Sequence, residues 1–323
     1  MKKKTVALLS GGVSPEREVS LSSGDQVEAA LDKNRYTVRR FDPAYDLGRL
    51  VAEAGAIDVA LIILHGAYGE DGTVQGLLDL LDIPYQGSGV LGSAVAMNKV
   101  LSKERYLQAG IPVPAHRVAR CGQTAATDRW LDQLGLPVVV KPASCGSSIG
   151  MRIVRRAADL APALEAAFAH DHTVLVEAYV RGREITGAVI GNEALEALPL
   201  IEIIPSAGHD FFDYRAKYVA GETNEICPAP LEADVTAEAQ RLALAAHRAL
   251  CCDGYSRTDM ILAEDGFFVL ETNTIPGMTR TSLFPQAAAA AGMPFDRLLD
   301  RLIELGIERH RLRKRHGGER QGK

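Results

Sequence analysis

Arg257, Asp259, Glu271 and Asn273 lie in two apolar runs, Ser256 to Leu262 and Phe267 to Asn273, joined through Glu264-Asp265-Gly266. Side chains alternate along a strand, so Arg257 shares a face with Asp259, and Glu271 with Asn273. A three-residue loop pairing Ala263 with Phe267 sets Asp259 opposite Glu271 and merges the two faces. A two-residue loop puts the acids on opposite faces. Two carboxylates and an amide on one face are hard oxygen ligands suited to Mg2+, which keeps waters and takes further ligands from substrate phosphates. A solvated charged face is the plainer reading. Yet Met260, Ile261, Leu262, Val269 and Leu270 flank the acids, as in strands covered on both sides, where unpaired carboxylates are costly.

A second cluster, Lys141-Pro142-Ala143-Ser144-Cys145-Gly146-Ser147-Ser148-Ile149-Gly150, follows the apolar run Val138-Val139-Val140. Small residues let backbone N–H groups approach phosphate oxygens while the ammonium offsets their charge. No G-x-x-x-x-G-K-[ST] occurs in the chain, so this is not a Walker loop. Alone, it reads as a hairpin turn with an exposed lysine; beside the acidic hairpin it reads as a nucleotide loop. The stretch Thr274 to Leu283 adds backbone donors and hydroxyls next to the acids, fit for a carboxylate or oxyanion. Cys145 has no neighbour in sequence that marks it as a nucleophile.

These groups need a scaffold, and the runs Val6 to Leu9 and Val59 to Leu64 supply its first part. Both are apolar on both faces and alternate with helical patterns, as in a doubly wound parallel sheet. Their followers, Ser10 to Glu16 and His65 to Gly72, then fall at the carboxyl ends of strands, where ligands bind. Ser14 reads as a helix N-cap and Pro15 as the first helical residue. Residues 1–98 form this N-terminal α/β domain. Residues 99–182, with the glycine-rich loop between two strands, form a central lobe. Residues 183–308 form a C-terminal lobe of α+β character, with longer strands over 184–190 and 196–204, a helix over 237–250, the acidic hairpin, and helices over 285–291 and 295–305. Residues 206–222 read as a mobile lid.

The chain has 323 residues, 47% hydrophobic and 24% charged, enough for two or three such units. No apolar run reaches the roughly 18 residues of a spanning helix, and the one after Lys2-Lys3-Lys4 is too short for a secretory signal. Five cysteines without a C-x-x-C pair point away from a disulfide framework or zinc knuckle and towards a reducing cytoplasm. A formal charge of −5 argues against a general nucleic-acid binder. Residues 309–323 hold seven Lys or Arg against one Glu, and read as a disordered basic tail on an acidic body.

Taken in order, the segments resemble the D-alanine-D-alanine ligases of the ATP-grasp superfamily, over nearly the whole chain. The matching pieces are Gly-Gly-x-Ser-x-Glu-x-x-x-Ser over 11–20, His65-Gly66-x-x-Gly69-Glu70-Asp71-Gly72, Lys141-Pro142 with Gly146-Ser147-Ser148-x-Gly150, Tyr214-x-x-Lys217-Tyr218, Arg257-x-Asp259, and Glu271-x-Asn273-x-x-Pro276-Gly277-Met278-Thr279. The resemblance implies a two-lobed ATP-grasp fold behind the N-terminal domain. It also implies a reaction in which ATP phosphorylates the carboxylate of one D-alanine and the amine of a second attacks the acyl phosphate.

By resemblance, Lys99, Lys141 and Lys217 contact phosphates, Glu177 with the backbone at Tyr179 and Val180 holds the adenine edge, and Glu184 holds the ribose. Asp259, Glu271 and Asn273 match the ligands of two Mg2+ or Mn2+ ions. Glu16 binds the first ammonium, with Ser147 and Tyr218 orienting it and His65 lining that site. Arg257 and the backbone of Gly277 stabilise the oxyanion, and Ser282 with Leu283 receives the second carboxylate. The resemblance also implies a cytoplasmic homodimer that takes D-alanine and ATP and serves peptidoglycan synthesis, with neither nucleic acid nor membrane as partner.

Each residue also has a plainer reading: Glu16 favours a helix N-terminus, Lys217 and Tyr218 sit on a polar surface loop, and His65 caps a strand end. Tyr218 favours an amine over D-lactate as second substrate without separating D-alanine from D-serine. A dinucleotide oxidoreductase lacks its G-x-G-x-x-G at the first helix. A silent nucleotide sensor leaves the full set of metal and phosphate residues unexplained.

Overall fold

The structure, a computed structural model, describes residues 2–122, 127–146, 149–205 and 223–318. Parallel strands β1 (Lys4–Ser10), β2 (Tyr36–Phe41) and β3 (Val59–Ile63) pair in the order β2-β1-β3. Val6 and Leu8 face one side of this sheet and Ala7 and Leu9 the other, and all four are fully buried because both sides are covered. Strand β2 escapes a reading based on apolar runs: Arg39 and Arg40 interrupt it, which its place at the sheet edge tolerates. Helix α1 (Arg17–Ala30) starts two residues later than Ser14 and Pro15 indicate. A turn intervenes, with the Ser14 carbonyl accepting from Arg17 N–H (3.1 Å) and its hydroxyl from Glu16 N–H (3.2 Å). Helices α2 (Leu47–Glu53) and α3 (Thr73–Leu80) follow.

Beyond α4 (Val90–Met97) and α5 (Lys99–Gln108), strands β4 (His116–Arg120), β5 (Val138–Pro142), β6 (Arg152–Val154) and β7 (Thr173–Ala178) form an antiparallel sheet of order β4-β7-β5-β6. Helices α6 (Thr127–Leu134) and α7 (Leu160–Phe168) cover one side of it. The largest sheet is also antiparallel: β8 (Arg183–Gly191), β10 (Ile201–Pro205), β11 (Thr223–Ile226), β12 (Gly254–Ala263) and β13 (Gly266–Asn273) run in the order β11-β10-β8-β12-β13. The strand expected over 196–204 is broken into β9 (Glu196–Ala197), paired to β8, and β10. Pro199 lies in the gap and has no N–H to give the ladder. Helix α8 (Ala233–Ala249) packs on this sheet through Ala239, Leu242, Ala243 and Ala246.

Helices α9 (Leu283–Ala290) and α10 (Phe295–Gly318) end the described chain. They return to the first sheet, where Phe284, Leu298, Leu299 and Leu302 share one core with Val6, Leu8, Val27 and Leu61. Helix α10 also overturns the expectation that disorder begins at residue 309. Arg309 is buried with its guanidinium over the Tyr85 ring, 4.2 Å from the centroid. Arg313 pairs with Asp79 at 2.5 Å and Lys314 with Asp82 at 2.6 Å, so the basic run has acidic partners on the N-terminal domain. Composition alone could not reveal those partners, which lie more than two hundred residues earlier.

Candidate active site

A cavity of about 500 Å3 separates the two antiparallel sheets. Lys141, Ile149, Met151, Ile153, Glu177, Tyr179 and Val180 come from the smaller sheet and its loops; Glu184, Ile203, Asp259, Ile261, Leu270 and Glu271 face them from the larger, with Lys99 from α5. Volume and lining suit a nucleotide: apolar side chains for a base, cations at one end, carboxylates beside them. Lys141 and Glu177 reach the same wall because Val139, two residues before Lys141, pairs with Glu177 across β5 and β7.

The acidic hairpin reaches its expected alignment by an unexpected route. Ala263 pairs with Gly266, so the loop is the two residues Glu264 and Asp265, which by itself places the acids on opposite faces. A bulge at Leu270, where the register shifts between Asp259 and Met260, adds one residue and restores the pairs Asp259–Glu271, Thr258–Thr272 and Arg257–Asn273. Asp259 is buried and well bonded. The Arg257 guanidinium donates to it twice (2.9 and 2.8 Å), Thr186 Oγ1 donates at 2.6 Å and Asn273 Nδ2 at 3.1 Å. Lys99 Nζ stands 3.4 Å from Glu271 Oε2 and donates to the Cys145 carbonyl at 2.7 Å. Two carboxylates and the Asn273 amide gathered at this hairpin are a donor set that suits Mg2+ or Mn2+, and Thr186 is a support for Asp259 that the sequence reading missed.

Charge is handled differently at Glu177. Both Lys103 and Lys141 contact its carboxylate, on Oε1 and Oε2 respectively. Burial alone raises the Glu177 carboxyl, but the two lysines outweigh it and hold it below the ordinary value. Lys103 is fully buried, and burial pushes its ammonium down to about 8 against the opposing pull of Glu177. Lys103 was not singled out from the sequence, where it is one surface-like lysine among several.

The N-terminal domain brings a third group. Glu16, at the start of α1, is buried, and its Oε2 lies beside two glycines from different parts of the fold: a Cβ on Gly66 would stand 3.2 Å from it and one on Gly146 3.3 Å. Gly66 also has φ +68°, a backbone conformation that favours glycine there. Gly146 belongs to the loop after Lys141, so the first domain meets that loop at Glu16. His65 is buried close by; burial lowers its pKa, Glu16 opposes this and Arg257 adds to it, leaving a neutral ring. Its Nε2 has no hydrogen-bond partner among the described residues. Glu70 accepts from Gly66 N–H at 2.7 Å, and desolvation followed by Glu16 pushes its carboxyl up to about 8. Its place in His65-Gly66-x-x-Gly69-Glu70 was the available signal for a role at this site.

Ser282 precedes α9, accepts from Thr279 N–H at 3.1 Å and lies against Gly277, where a Cβ would meet its Oγ at 2.9 Å. Leu283 is the first residue of that helix and is buried. Ser147, Lys217, Tyr218 and the lid over 206–222 lie outside the described residues.

Two antiparallel sheets closing on one cavity, with Lys141 and Glu177 on one wall and the acidic hairpin with Lys99 beside it on the other, define the two-lobed ATP-grasp class of enzymes. A family profile described as "D-ala D-ala ligase C-terminus" matches residues 105–304, and "D-ala D-ala ligase N-terminus" matches 43–88. The chain is 64% identical over 306 residues to the D-alanine–D-alanine ligase of Syntrophobacter fumaroxidans, covering 95% of this chain and 98% of that one. Among solved structures, the Bacillus anthracis ligase complexed with ATP superposes with a TM-score of 0.85 at 37% identity, over 96% of this chain and 99% of that one. The VanG D-Ala:D-Ser ligase of Enterococcus faecalis reaches 0.82 at 31%, over 94% and 100%. The chain belongs to the D-alanine–D-alanine ligase family.

Proposed function

We infer that this chain joins two D-alanine molecules at the expense of ATP, releasing ADP, phosphate and D-alanyl-D-alanine. The observation that carries this is the meeting of Glu16, Gly66 and Gly146, which sets a buried carboxylate for an ammonium beside the loop that borders the nucleotide cavity. One carboxylate oxygen of the first D-alanine takes the γ-phosphoryl group as its bond to the β-phosphate oxygen breaks. The amine of the second D-alanine then attacks the acyl carbon, loses a proton, and phosphate leaves.

Glu16 holds the first ammonium, with His65 at its side and Ser147 and Tyr218 completing the group. Lys99, Lys141 and Lys217 offset phosphate charge, Glu177 with the backbone at Tyr179 and Val180 reads adenine, and Glu184 holds the ribose. Arg257 and Gly277 N–H stabilise the oxyanion, and Ser282 with Leu283 receives the second carboxylate. Asp259, Glu271 and Asn273 hold two Mg2+ or Mn2+, which when bound neutralise charge on the transferring phosphoryl group. The pairing of Arg257 with Asp259 supports this role by keeping the guanidinium next to the hairpin carboxylates.

Residues 1–98, 99–182 and 183–308 act as three units on this reading, with residues 206–222 as lid, in a cytoplasmic homodimer that supplies a peptidoglycan precursor. The test is phosphate release with ATP and D-alanine alone, followed by mass spectrometry of products formed from mixed D-alanine, D-serine and D-lactate. D-alanyl-D-alanine as the dominant product is expected; no turnover on D-alanine alone refutes it.

A further inference from the structure

Lys103 shares one face of α5 with Lys99 and Tyr106, at spacings of four and three residues. That face meets three consecutive residues of β13. Lys99 approaches Glu271, Lys103 Nζ lies 3.4 Å from the Leu270 carbonyl, and Tyr106 O–H donates to Thr272 Oγ1 at 2.7 Å. Lys99 and Lys141 line the nucleotide cavity, and Lys103, with no exposed surface, stands behind its wall. Its ammonium therefore acts on a bound nucleotide through the residues of that wall, above all Glu177, whose Oε1 it touches.

Two cations on one buried carboxylate are more than charge balance requires, and their positions divide the work. Lys141, at the end of β5 and facing the cavity, is free to turn towards phosphate oxygens when ATP enters. Lys103 cannot follow. It remains on Glu177, and a buried carboxylate left without a cation is strongly disfavoured. A carboxylate accepts hydrogen bonds and does not donate, so Glu177 suits the 6-amino group of adenine and repels the 6-oxo oxygen of guanine or hypoxanthine.

We propose that Lys103 is a positioning residue for nucleobase recognition, holding Glu177 as a fixed carboxylate acceptor from behind the cavity wall and thereby setting the preference for ATP over 6-oxo purine nucleotides. The proposal rests on the reading of Glu177 as the adenine contact. It explains why a lysine is buried where no ligand reaches it, and why Glu177 stays ionised when Lys141 engages phosphate.

Steady-state phosphate release with ATP and with ITP, which differs from ATP at the 6 position of the purine, tests this in Lys103→Met, Lys103→Arg and Glu177→Gln. Lys103→Met raises the ATP KM about tenfold and lowers the ATP-to-ITP ratio of kcat/KM by about as much, with the D-alanine KM within about twofold. Lys103→Arg recovers most of both, because the cation is retained. If Glu177→Gln shifts the ratio and Lys103→Met does not, the positioning role is wrong while the adenine contact stands. If Glu177→Gln itself changes neither ATP KM nor ratio, the underlying contact is wrong. Where thermal melting shows Lys103→Met unfolded, Lys103→Gln keeps a donor near Oε1 and is read the same way. Loss of folding in both variants makes Lys103 a stability residue and overturns the proposal.

Discussion

The cavity between the two antiparallel sheets and the surroundings of Glu16 handle buried charge in different ways. Around the cavity the acids are already matched: Glu177 by two lysines, and Asp259 by a guanidinium, a hydroxyl and an amide. Around Glu16 stand a second carboxyl, Glu70, which burial above all pushes up to about 8, and a neutral His65, with the Arg257 guanidinium acting on both. Phosphate and metal are strongly hydrated charges, and a site for them is best built from groups held in place by one another before they arrive. Near Glu16 burial dominates: it raises the Glu70 carboxyl first, Glu16 adds to it, and the Arg257 guanidinium opposes both. The first region is set by close ion pairs; in the second, desolvation holds a proton on Glu70 and keeps His65 neutral.

The largest effect expected from this contrast is at the hairpin. Glu271→Gln should lower kcat by about 10^3-fold or more, since one acceptor of the metal face is lost where charge develops; activity within tenfold of wild type at limiting Mg2+ would remove Glu271 from that role. Next is Glu16→Gln, expected to raise the D-alanine KM for the first site by about 10- to 100-fold while nucleotide affinity, measured by titration calorimetry, stays within about twofold. Parallel losses in both would erase the distinction between the two regions.

Glu70 gives a test by pH. Its folded pKa of about 8 lies above the ordinary carboxyl value, so the folded state holds a proton that the unfolded state releases. Stability should therefore fall as pH rises from about 4.5 to about 8, by at most about 1.4 kcal/mol per unit. Glu70→Gln, which resembles the protonated form, should flatten that slope in urea unfolding. An unchanged slope contradicts a proton held on buried Glu70. The smallest effect is at the exposed pairs on α10. Asp82→Asn should cost at most about 1 kcal/mol at low salt and less at 0.5 M NaCl, unlike any substitution at the two buried regions.

Strands β1 and β3 were legible because a doubly covered strand must be apolar on both faces, and the hairpin because its acids interrupt apolar runs. β2 was not, since an edge strand is free to carry Arg39 and Arg40. The break at Pro199 could be read in retrospect from its missing N–H. The basic run after residue 308 looked like a tail because its partners, Asp79, Asp82 and the Tyr85 ring, are remote in sequence. For the site, motifs exposed the candidate residues Asp259, Glu271 and Glu177; the side chains that contact them, Thr186 and Lys103, carry no motif of their own.

Residue order alone determined which groups could do chemistry: the lysine with its small-residue loop, the two acids with their amide, and the glutamate at a helix start. It did so because those choices are written in local spacing and in the cost of burying charge. Only the tertiary structure decided how they meet. The bulge at Leu270 corrects a two-residue turn so that Asp259 faces Glu271, and the packing of the first domain brings Glu16 against Gly146. α5 places Lys103 behind Glu177. The bulge is local to one hairpin but leaves no mark in residue types, and the other two are contacts between distant segments, fixed by close packing across interfaces that no window of sequence contains.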